Sequence, residues 1–286
     1  MNQMDSELGA VCEAVVKESS RITPENRDEV RKIRLQIDDP SFRFVEGQTI
    51  GVVVPGPHDF GNRYHMRRYS IASGREVNGG EAVEFDLLVR RCFYLDEVSG
   101  ERYPGIASNY LCDAPPGKRI TISGPYRSPF RIPQNSSANL LMIGTGTGVA
   151  PFRAFIQRIY RYQPDWQGKV RLFYGARTGM DLFYLNDEQD DLANYYDEKT
   201  FQAFKGLISK PLAADDQALR DPLEAHAAEA WELVQDRNTY VYLAGLGKVV
   251  ETLDAVMAKA AGSEQRWLEA KEQLIKDDRW SELIYN

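Results

Sequence analysis

Two arginines, a tyrosine and a serine stand side by side at Arg67-Arg68-Tyr69-Ser70. An arginine can hold a pyrophosphate through two parallel hydrogen bonds. A tyrosine can stack on the planar face of an isoalloxazine ring, and a serine hydroxyl can donate a hydrogen bond to a flavin ring nitrogen. This combination is typical of a flavin site, although the four residues alone also fit an ordinary strand with exposed cations.

A glycine-rich loop, Gly144-Thr145-Gly146-Thr147-Gly148, lies about eighty residues further along the chain. Glycines let the backbone approach a pyrophosphate, and the N-terminus of a following helix supplies partial positive charge. The loop departs from the G-x-G-x-x-G pattern because Val149 occupies the last glycine position, and glycine turns also occur for backbone reasons alone. Its place between an apolar run and a helix with Pro151 in the first turn favours nucleotide binding.

Cysteine and histidine spacing disfavours a metal centre. The three cysteines (Cys12, Cys92, Cys112) form no C-x-x-C pair, and the three histidines (His58, His65, His226) lack metal-ligand spacing. We therefore expect no disulfide framework, no iron–sulfur cluster and no metal, so that any redox centre is organic. The formal net charge of −7 disfavours nucleic-acid binding.

The first half of the chain predicts many short strands. Apolar and polar residues alternate over 32–37 and 84–89, with turn signals at Pro55-Gly56-Pro57 and Pro115-Pro116-Gly117. Strands at this spacing indicate an antiparallel barrel or sandwich. A polar tract, Pro133-Gln134-Asn135-Ser136-Ser137, predicts a linker, so that the first domain spans 1–135 and the second 136–286.

The second half predicts an α/β domain with a parallel sheet. A continuous apolar run over 139–143 is typical of a strand buried on both faces. Further strands are predicted at 170–174, 206–209 and 240–243, and helices at 221–234, 248–260 and 264–276. Strands that alternate with helices indicate an open parallel sheet.

Several motifs in the correct order make the chain similar to the plant-type ferredoxin–NADP⁺ reductase family, from about residue 30 to residue 285. The family's R-x-Y-S motif matches Arg67 to Ser70, and its G-x-x-S-N-[FY]-L motif matches Gly105 to Leu111. Its G-T-G-T-G-[IV]-A-P-F-R motif matches through Arg153. The resemblance implies a Greek-key FAD-binding barrel followed by an NADP(H)-binding α/β domain.

The resemblance also implies a role for individual residues. Ser70 would lie near the reactive flavin nitrogen, Tyr94 would cover the adenine, and Tyr285 would shield the flavin until nicotinamide displaces its ring. The implied catalytic residues are Ser70 and Tyr285. The implied FAD-binding residues are Arg67, Arg68, Tyr69, Ser70, Leu88, Val89, Arg90, Tyr94, Gly105, Ile106, Ala107, Ser108 and Tyr285, and the implied NADP(H)-binding residues are Gly146, Thr147, Gly148, Ser209, Lys210, Arg220, Gly245 and Leu246.

The chain departs from the family pattern at several places, among them Ala244, where plant members carry a cysteine, and Leu283, where they carry a glutamate. Asn286 follows the tyrosine that ends the family's chains, and Leu219, Asp221 and Leu223 replace the later residues of its 2′-phosphate site. Ser209 and Lys210 keep a hydroxyl and a cation, and Arg220 could compensate, because a nearby arginine usually accommodates the extra phosphate. We expect NADPH to be favoured over NADH.

The distribution of charge suggests an electron acceptor. Residues 1–135 hold 18 Lys+Arg against 19 Asp+Glu, so the remaining 17 and 23 make the second half more acidic. The nearly neutral half contains an arginine cluster, which suits phosphates or a small acidic carrier such as a ferredoxin or flavodoxin. This cluster comprises Arg63, Arg67, Arg68, Arg75, Arg90 and Arg91.

The predicted activity is therefore NAD(P)H oxidation through FAD, with electrons passed singly to that carrier. Three alternatives stay open: the reductase of an aromatic-degrading oxygenase or epoxidase system, direct reduction of a small molecule, and a non-catalytic flavoprotein subunit. The N-terminus lacks the order of a signal peptide, and no apolar run reaches membrane-spanning length. A cytoplasmic monomer is the resulting expectation.

Overall fold

The chain folds into two compact units that divide between Arg131 and Ile132. The computed structural model describes residues 8, 10–58, 62–78, 82–96, 98–186, 191–197, 199–208 and 216–285. The predicted boundary after residue 135 and the observed division both fall in the segment between the last strand of the first unit and the first strand of the second. Within the described ranges, no helix is long and apolar enough to cross a membrane.

The first unit is built from antiparallel strands. Seven of them form one sheet in the order β4-β3-β9-β1-β2-β6-β5, while β7 and β8 form a separate hairpin. The elements are β1 (Val11–Arg21), β2 (Val30–Ile37), β3 (Thr49–Pro55), β4 (Tyr64–Ser70), β5 (Glu76–Asn78), β6 (Ala82–Arg90), β7 (Phe93–Leu95), β8 (Arg102–Pro104), α1 (Ile106–Cys112) and β9 (Arg119–Tyr126).

The sheet curls until its two sides meet, which confirms the predicted antiparallel barrel. Directly after β4, Ile71 forms an isolated antiparallel bridge with Leu87 of β6, and the Ala72 N–H donates to the Asp86 carbonyl at 2.8 Å. Alternate apolar side chains of the strands fill the interior. Helix α1 contributes Ala107 and Leu111 to the same core.

The second unit is a parallel α/β domain, as predicted. Its five strands lie in the order β12-β11-β10-β13-β14, and every neighbouring pair is parallel. The elements are β10 (Asn139–Thr145), α2 (Val149–Tyr162), β11 (Val170–Ala176), β12 (Phe201–Leu207), α3 (Gln217–Ala225), α4 (Ala227–Gln235), β13 (Thr239–Leu246), α5 (Lys248–Ala261), α6 (Glu264–Lys276) and β14 (Trp280–Tyr285).

Two predicted elements of this unit were placed wrongly. The strand expected at 206–209 is β12, which begins five residues earlier at Phe201. The single helix expected over 221–234 is two helices separated at His226. The His226 ring stacks on Phe204 of β12 with centroids 3.8 Å apart, a tertiary contact that the helical period of the sequence does not contain.

Helices cover both faces of the parallel sheet. Helices α3 to α6 pack on one face against side chains such as Leu141, Phe173 and Leu243. On the other face, Phe155 of α2 contacts the Tyr242 ring edge-on at 5.3 Å. Because the chain order reverses between the neighbouring strands β10 and β13, their carboxyl ends form the topological switch point where such sheets bind ligands.

Candidate functional site

Strand β4 displays the first candidate motif with its side chains in distinct environments. Tyr69 packs against the barrel core, and its burial raises its pKa. Arg67, on the same side of the strand by alternation, is exposed and forms no hydrogen bond or ion pair with the described residues. The Arg68 guanidinium instead lies 4.0 Å from the centre of the Tyr126 ring. Arg67 is therefore the cation of this strand that is available to a phosphate.

Helix α1 and the chain before β7 are tied together by side-chain hydrogen bonds. The Ser108 hydroxyl accepts a hydrogen bond from the Cys92 N–H at 3.1 Å and donates to the Gly105 carbonyl at 3.2 Å. The Asn109 amide donates to the Cys92 carbonyl at 2.9 Å and to the Gly105 carbonyl at 2.8 Å. Since the first N–H groups of a helix have no intrahelical partner, Ile106, Ala107 and Ser108 can offer theirs to an anion.

This close packing leaves little room for a side chain at position 105. A Cβ there would lie 3.1 Å from the Ser108 Oγ and 3.2 Å from the Cys92 carbonyl oxygen. The second motif therefore holds a compact turn in which the main chain, rather than the serine hydroxyl alone, presents hydrogen-bond donors.

The arginine cluster predicted from the sequence separates into two groups. Three of its members form hydrogen bonds or ion pairs with neighbouring protein groups, whereas the side chains of Arg63, Arg67 and Arg68 form none with the described residues. Of these last three, Arg68 lies over the Tyr126 ring. The bound three are Arg91, with Glu29, Asp113 and Asn109, Arg75, with the carbonyls of Phe42 and Pro40, and Arg90, with Asp28.

The remaining barrel residues of the predicted FAD set lie on β6 and the hairpin. The side chains of Leu88 and Val89 are buried, so these two residues can offer a ligand only their main chain. Tyr94 is 57% exposed and stacks on Tyr103 with centroids 5.5 Å apart. An exposed ring, an exposed cation that pairs with none of the described residues and a helix start fit the adenine and pyrophosphate of FAD.

The glycine loop of the second unit lies at the switch point. Residues Gly146–Gly148 form a 3₁₀ turn that continues directly into α2. A Cβ on Gly148 would lie 2.3 Å from the Ala244 carbonyl oxygen, and a Cβ on Gly245 would lie 2.4 Å from the Thr145 Oγ1. The loop after β10 therefore touches the main chain of β13 at Gly148, and no side chain fits at Gly148 or Gly245.

Tyr174 supports this loop and escaped the sequence analysis. Its hydroxyl donates to the Gly146 carbonyl at 2.9 Å, and burial raises its pKa well above the usual range. The only signal in the sequence was a tyrosine at the end of an apolar strand, where a buried hydroxyl needs an acceptor.

The strand register brings Tyr285 to the same edge of the sheet. Tyr285 lies opposite Leu246 in the β13–β14 ladder, and Leu246 follows Gly245 directly. Six of the predicted residues thus gather at the carboxyl ends of β10, β13 and β14. The six are Gly146, Thr147, Gly148, Gly245, Leu246 and Tyr285.

The predicted 2′-phosphate residue Arg220 lines a small cleft. The cleft, of about 200 Å³, is formed by α3 and α5 and lined by Asp216, Arg220, Lys248, Glu251 and Thr252. The Arg220 Nη2 lies 2.5 Å from the Asp216 Oδ2, and this hydrogen bond, with Lys248 nearby, lowers the pKa of Asp216. Two acids therefore balance two cations here. Ser209 and Lys210 lie outside the described residues.

The sequence analysis also missed Lys248, which begins α5 immediately after Gly247 at the switch point. In the part of the chain that the structure describes, no group of three or more His, Cys, Asp or Glu side chains could hold a metal ion.

Comparison with known families and proteins gives matches over both units. Residues 14–129 match the family described as oxidoreductase FAD-binding domain. Residues 142–254 match the family described as oxidoreductase NAD-binding domain. The two matches divide as the two structural units do.

Among curated proteins, similarity extends over most of the chain. The ferredoxin–NADP reductase of a Spirulina species is 31% identical over 88% of this chain and 87% of its own length. That of Thermosynechococcus vestitus is 33% identical over 88% of this chain, and the chloroplastic enzyme of Spinacia oleracea is 31% identical over 84%. The chain spans 66% of each of these last two relatives.

Among solved structures, the chain has the fold of the ferredoxin–NADP⁺ reductase from Plasmodium falciparum. The TM-score is 0.70, with 96% of both chains covered and 17% sequence identity. The two-domain architecture predicted from the sequence is confirmed.

Proposed function

The chain belongs to the ferredoxin–NADP reductase family, and from this membership we propose that it transfers electrons between NADPH and a small carrier protein through bound FAD. Bound FAD supplies the redox chemistry, since it exchanges a hydride with nicotinamide and single electrons with a carrier. The glycine loop between β10 and α2 carries the proposal. Gly146–Gly148 lead directly into the start of α2, and a Cβ on Gly146 would meet nothing within 4 Å, so the main chain there is open to a dinucleotide phosphate.

In this proposal the barrel holds FAD through groups that the described residues leave available. Arg67 and the first N–H groups of α1 bind the pyrophosphate, and the exposed Tyr94 ring stacks on the adenine. Tyr69 packs on the flavin, and its position against the barrel core fixes the plane of its ring.

Two residues are proposed to act at the reacting rings. The Ser70 hydroxyl forms no hydrogen bond within the described part of the chain, so it can donate one to the flavin. The family resemblance gives Tyr285 a gating role rather than a proton-transfer role: its ring would shield the flavin until nicotinamide takes its place.

An anaerobic titration with NADPH and NADH in parallel, followed by flavin absorbance, tests the proposal. The purified protein should be yellow, and NADPH should bleach it with a stronger apparent affinity than NADH. A colourless protein that cannot be reconstituted with FAD would contradict the proposal. So would bound FAD that neither nucleotide reduces, the result expected of a non-catalytic flavoprotein subunit.

For the acceptor we propose an acidic ferredoxin or flavodoxin, which Arg63 helps to attract. Arg63 is exposed and directly precedes β4, and complementary charge at an interface rim mainly raises the association rate. Arg63→Glu should lower the carrier-dependent rate about 3- to 10-fold at low ionic strength and much less at high salt.

The matched control is Arg27→Glu, an exposed arginine outside the cluster. An equal loss in both variants would show that only net charge matters and would remove Arg63 from the carrier site. The cytoplasmic location and the monomeric state stay predictions.

A further inference from the structure

The hairpin β7–β8 carries two tyrosines, of which the sequence analysis assigned a role only to Tyr94. The strand register places Tyr103 directly opposite Tyr94, so both side chains share one face of the hairpin. Their rings are stacked, with centroids 5.5 Å apart and an interplanar angle of 20°. The other face carries Phe93, on which the Arg102 guanidinium lies at 3.8 Å from the ring centre.

We propose that Tyr103 is a positioning residue for the adenine of FAD: it supports the Tyr94 ring from behind and so sets the preference for FAD over FMN. The inference rests on the proposed FAD site. The adenine stacks on the face of Tyr94 that is turned away from Tyr103, and three rings then lie in one stack. Tyr103 contacts Tyr94 rather than the adenine.

Tyr94 needs such support because its surroundings are exposed. The ring is 57% exposed, and an isolated two-stranded hairpin is only marginally stable in water. A ring that samples several rotamers loses that freedom when a ligand stacks on it, and this loss weakens binding. Tyr103 restricts the ring before the adenine arrives.

Tyr103 is itself held in place. Its hydroxyl donates to the Glu101 Oε2 at 2.5 Å, which anchors the end of the side chain opposite the backbone. The turn beyond is fixed by Asp96, whose Oδ1 accepts the N–H groups of Val98 at 2.9 Å and Ser99 at 2.7 Å. Because the turn is fixed and the Tyr103 ring is anchored, Tyr103 can hold the Tyr94 ring in one orientation.

The base of the hairpin connects this stack to the pyrophosphate end of the proposed site. The Cys92 carbonyl, one residue before β7, accepts hydrogen bonds from the Gly105 N–H at 2.9 Å and from the Asn109 side chain. These hydrogen bonds join the base of the hairpin that carries Tyr94 to the start of α1. A dinucleotide that bridges the two fits this arrangement, whereas FMN, which lacks the adenine, reaches only one end.

The test compares flavin affinities of the full-length apoprotein by quenching of flavin fluorescence. Tyr103→Ala should weaken FAD binding about 3- to 10-fold, the range expected for one aromatic pair, and should leave FMN binding within about twofold. Tyr103→Phe keeps the ring and should restore the wild-type ratio of the two affinities.

Leu95→Ala is the matched control, because this 68% exposed side chain belongs to the opposite face of the same hairpin and should not change the ratio. An unchanged ratio of the FAD and FMN affinities in Tyr103→Ala overturns the inference, whether neither affinity changes or both weaken equally. If the unaltered chain binds neither flavin, the proposed function itself fails.

Discussion

The two units offer a nucleotide different kinds of surface. In the barrel, the candidate groups are exposed side chains such as Arg67 and Tyr94, which make few contacts that the fold needs. In the α/β unit, they are glycines of a loop packed on strand β13, with no room for a Cβ at Gly148. Substitutions of the candidate residues in the first unit should therefore weaken nucleotide binding without lowering stability. In the second unit they should lower both nucleotide binding and stability.

The largest effect is expected for Gly148→Ala. The added Cβ would lie 2.3 Å from the Ala244 carbonyl oxygen, and because backbone cannot swing aside, the unit should lose at least about 3 kcal/mol of unfolding free energy. Urea unfolding followed by tryptophan fluorescence measures this loss of unfolding free energy. All four tryptophans lie in this unit: Trp166, Trp231, Trp267 and Trp280.

Gly146→Ala is the companion variant, because a Cβ there meets nothing within 4 Å and only the φ of +54° is unfavourable. It should cost about 1 kcal/mol. If both variants unfold at the same urea concentration, the close contact between Gly148 and Ala244 is not the reason why glycine is needed at position 148.

Arg67→Ala should produce the next largest effect, on binding alone. Loss of a charge-assisted contact to phosphate should weaken FAD about 10- to 100-fold, while the unfolding of the apoprotein stays unchanged because Arg67 is exposed. Arg68→Ala, which removes the guanidinium over Tyr126, should weaken FAD less. Fluorescence titration of both apoproteins measures the difference, and a reversed order would exclude Arg67 as the phosphate ligand.

A smaller effect is expected for Arg220→Ala on nicotinamide nucleotides. NADPH should bind about 3- to 10-fold more weakly and NADH should be unaffected, because the guanidinium can reach only the extra phosphate and already bonds Asp216. Equilibrium binding of both nucleotides to the holoprotein decides it. Equal weakening of NADH would make Arg220 a structural residue of α3.

The smallest effect concerns pH and the Asp216–Arg220 pair. The Arg220 hydrogen bond lowers the pKa of Asp216 in the folded state, so its stabilisation is present above the unfolded pKa near 4 and disappears as pH falls through the lower folded value. Asp216→Asn should cost about 0.5 kcal/mol at pH 7, and its difference from wild type should shrink toward pH 3. Urea midpoints at several pH values measure this, and a pH-independent difference would contradict it.

Prediction from the sequence succeeded where local patterns decide the structure. The apolar run before Gly144, the glycine loop and the helix that follows it with Pro151 in its first turn were all predicted, since each depends on neighbouring residues. The break at His226 was missed because it depends on a ring contact with Phe204 across the unit.

The candidate site shows the same limit. Motifs identified Arg67 and Tyr94. The partners of Arg91 and Tyr103 could not be predicted in this way, because they are brought close only by the fold. Asn109 and Asp113 bind Arg91 from a helix that begins fifteen residues later, and Tyr103 meets Tyr94 only because of the hairpin register. Which arginines are bound to protein and which are available is a property of the folded barrel.

The closure of the barrel next to β4 has one more consequence. The chain that closes the barrel, through the Ile71–Leu87 bridge and the Ala72–Asp86 hydrogen bond, is the direct continuation of the strand that carries Arg67 and Ser70. A ligand bound by that strand is therefore attached close to the closure. We expect bound FAD to stabilise the closed barrel, because a ligand that binds only the folded state adds to its stability.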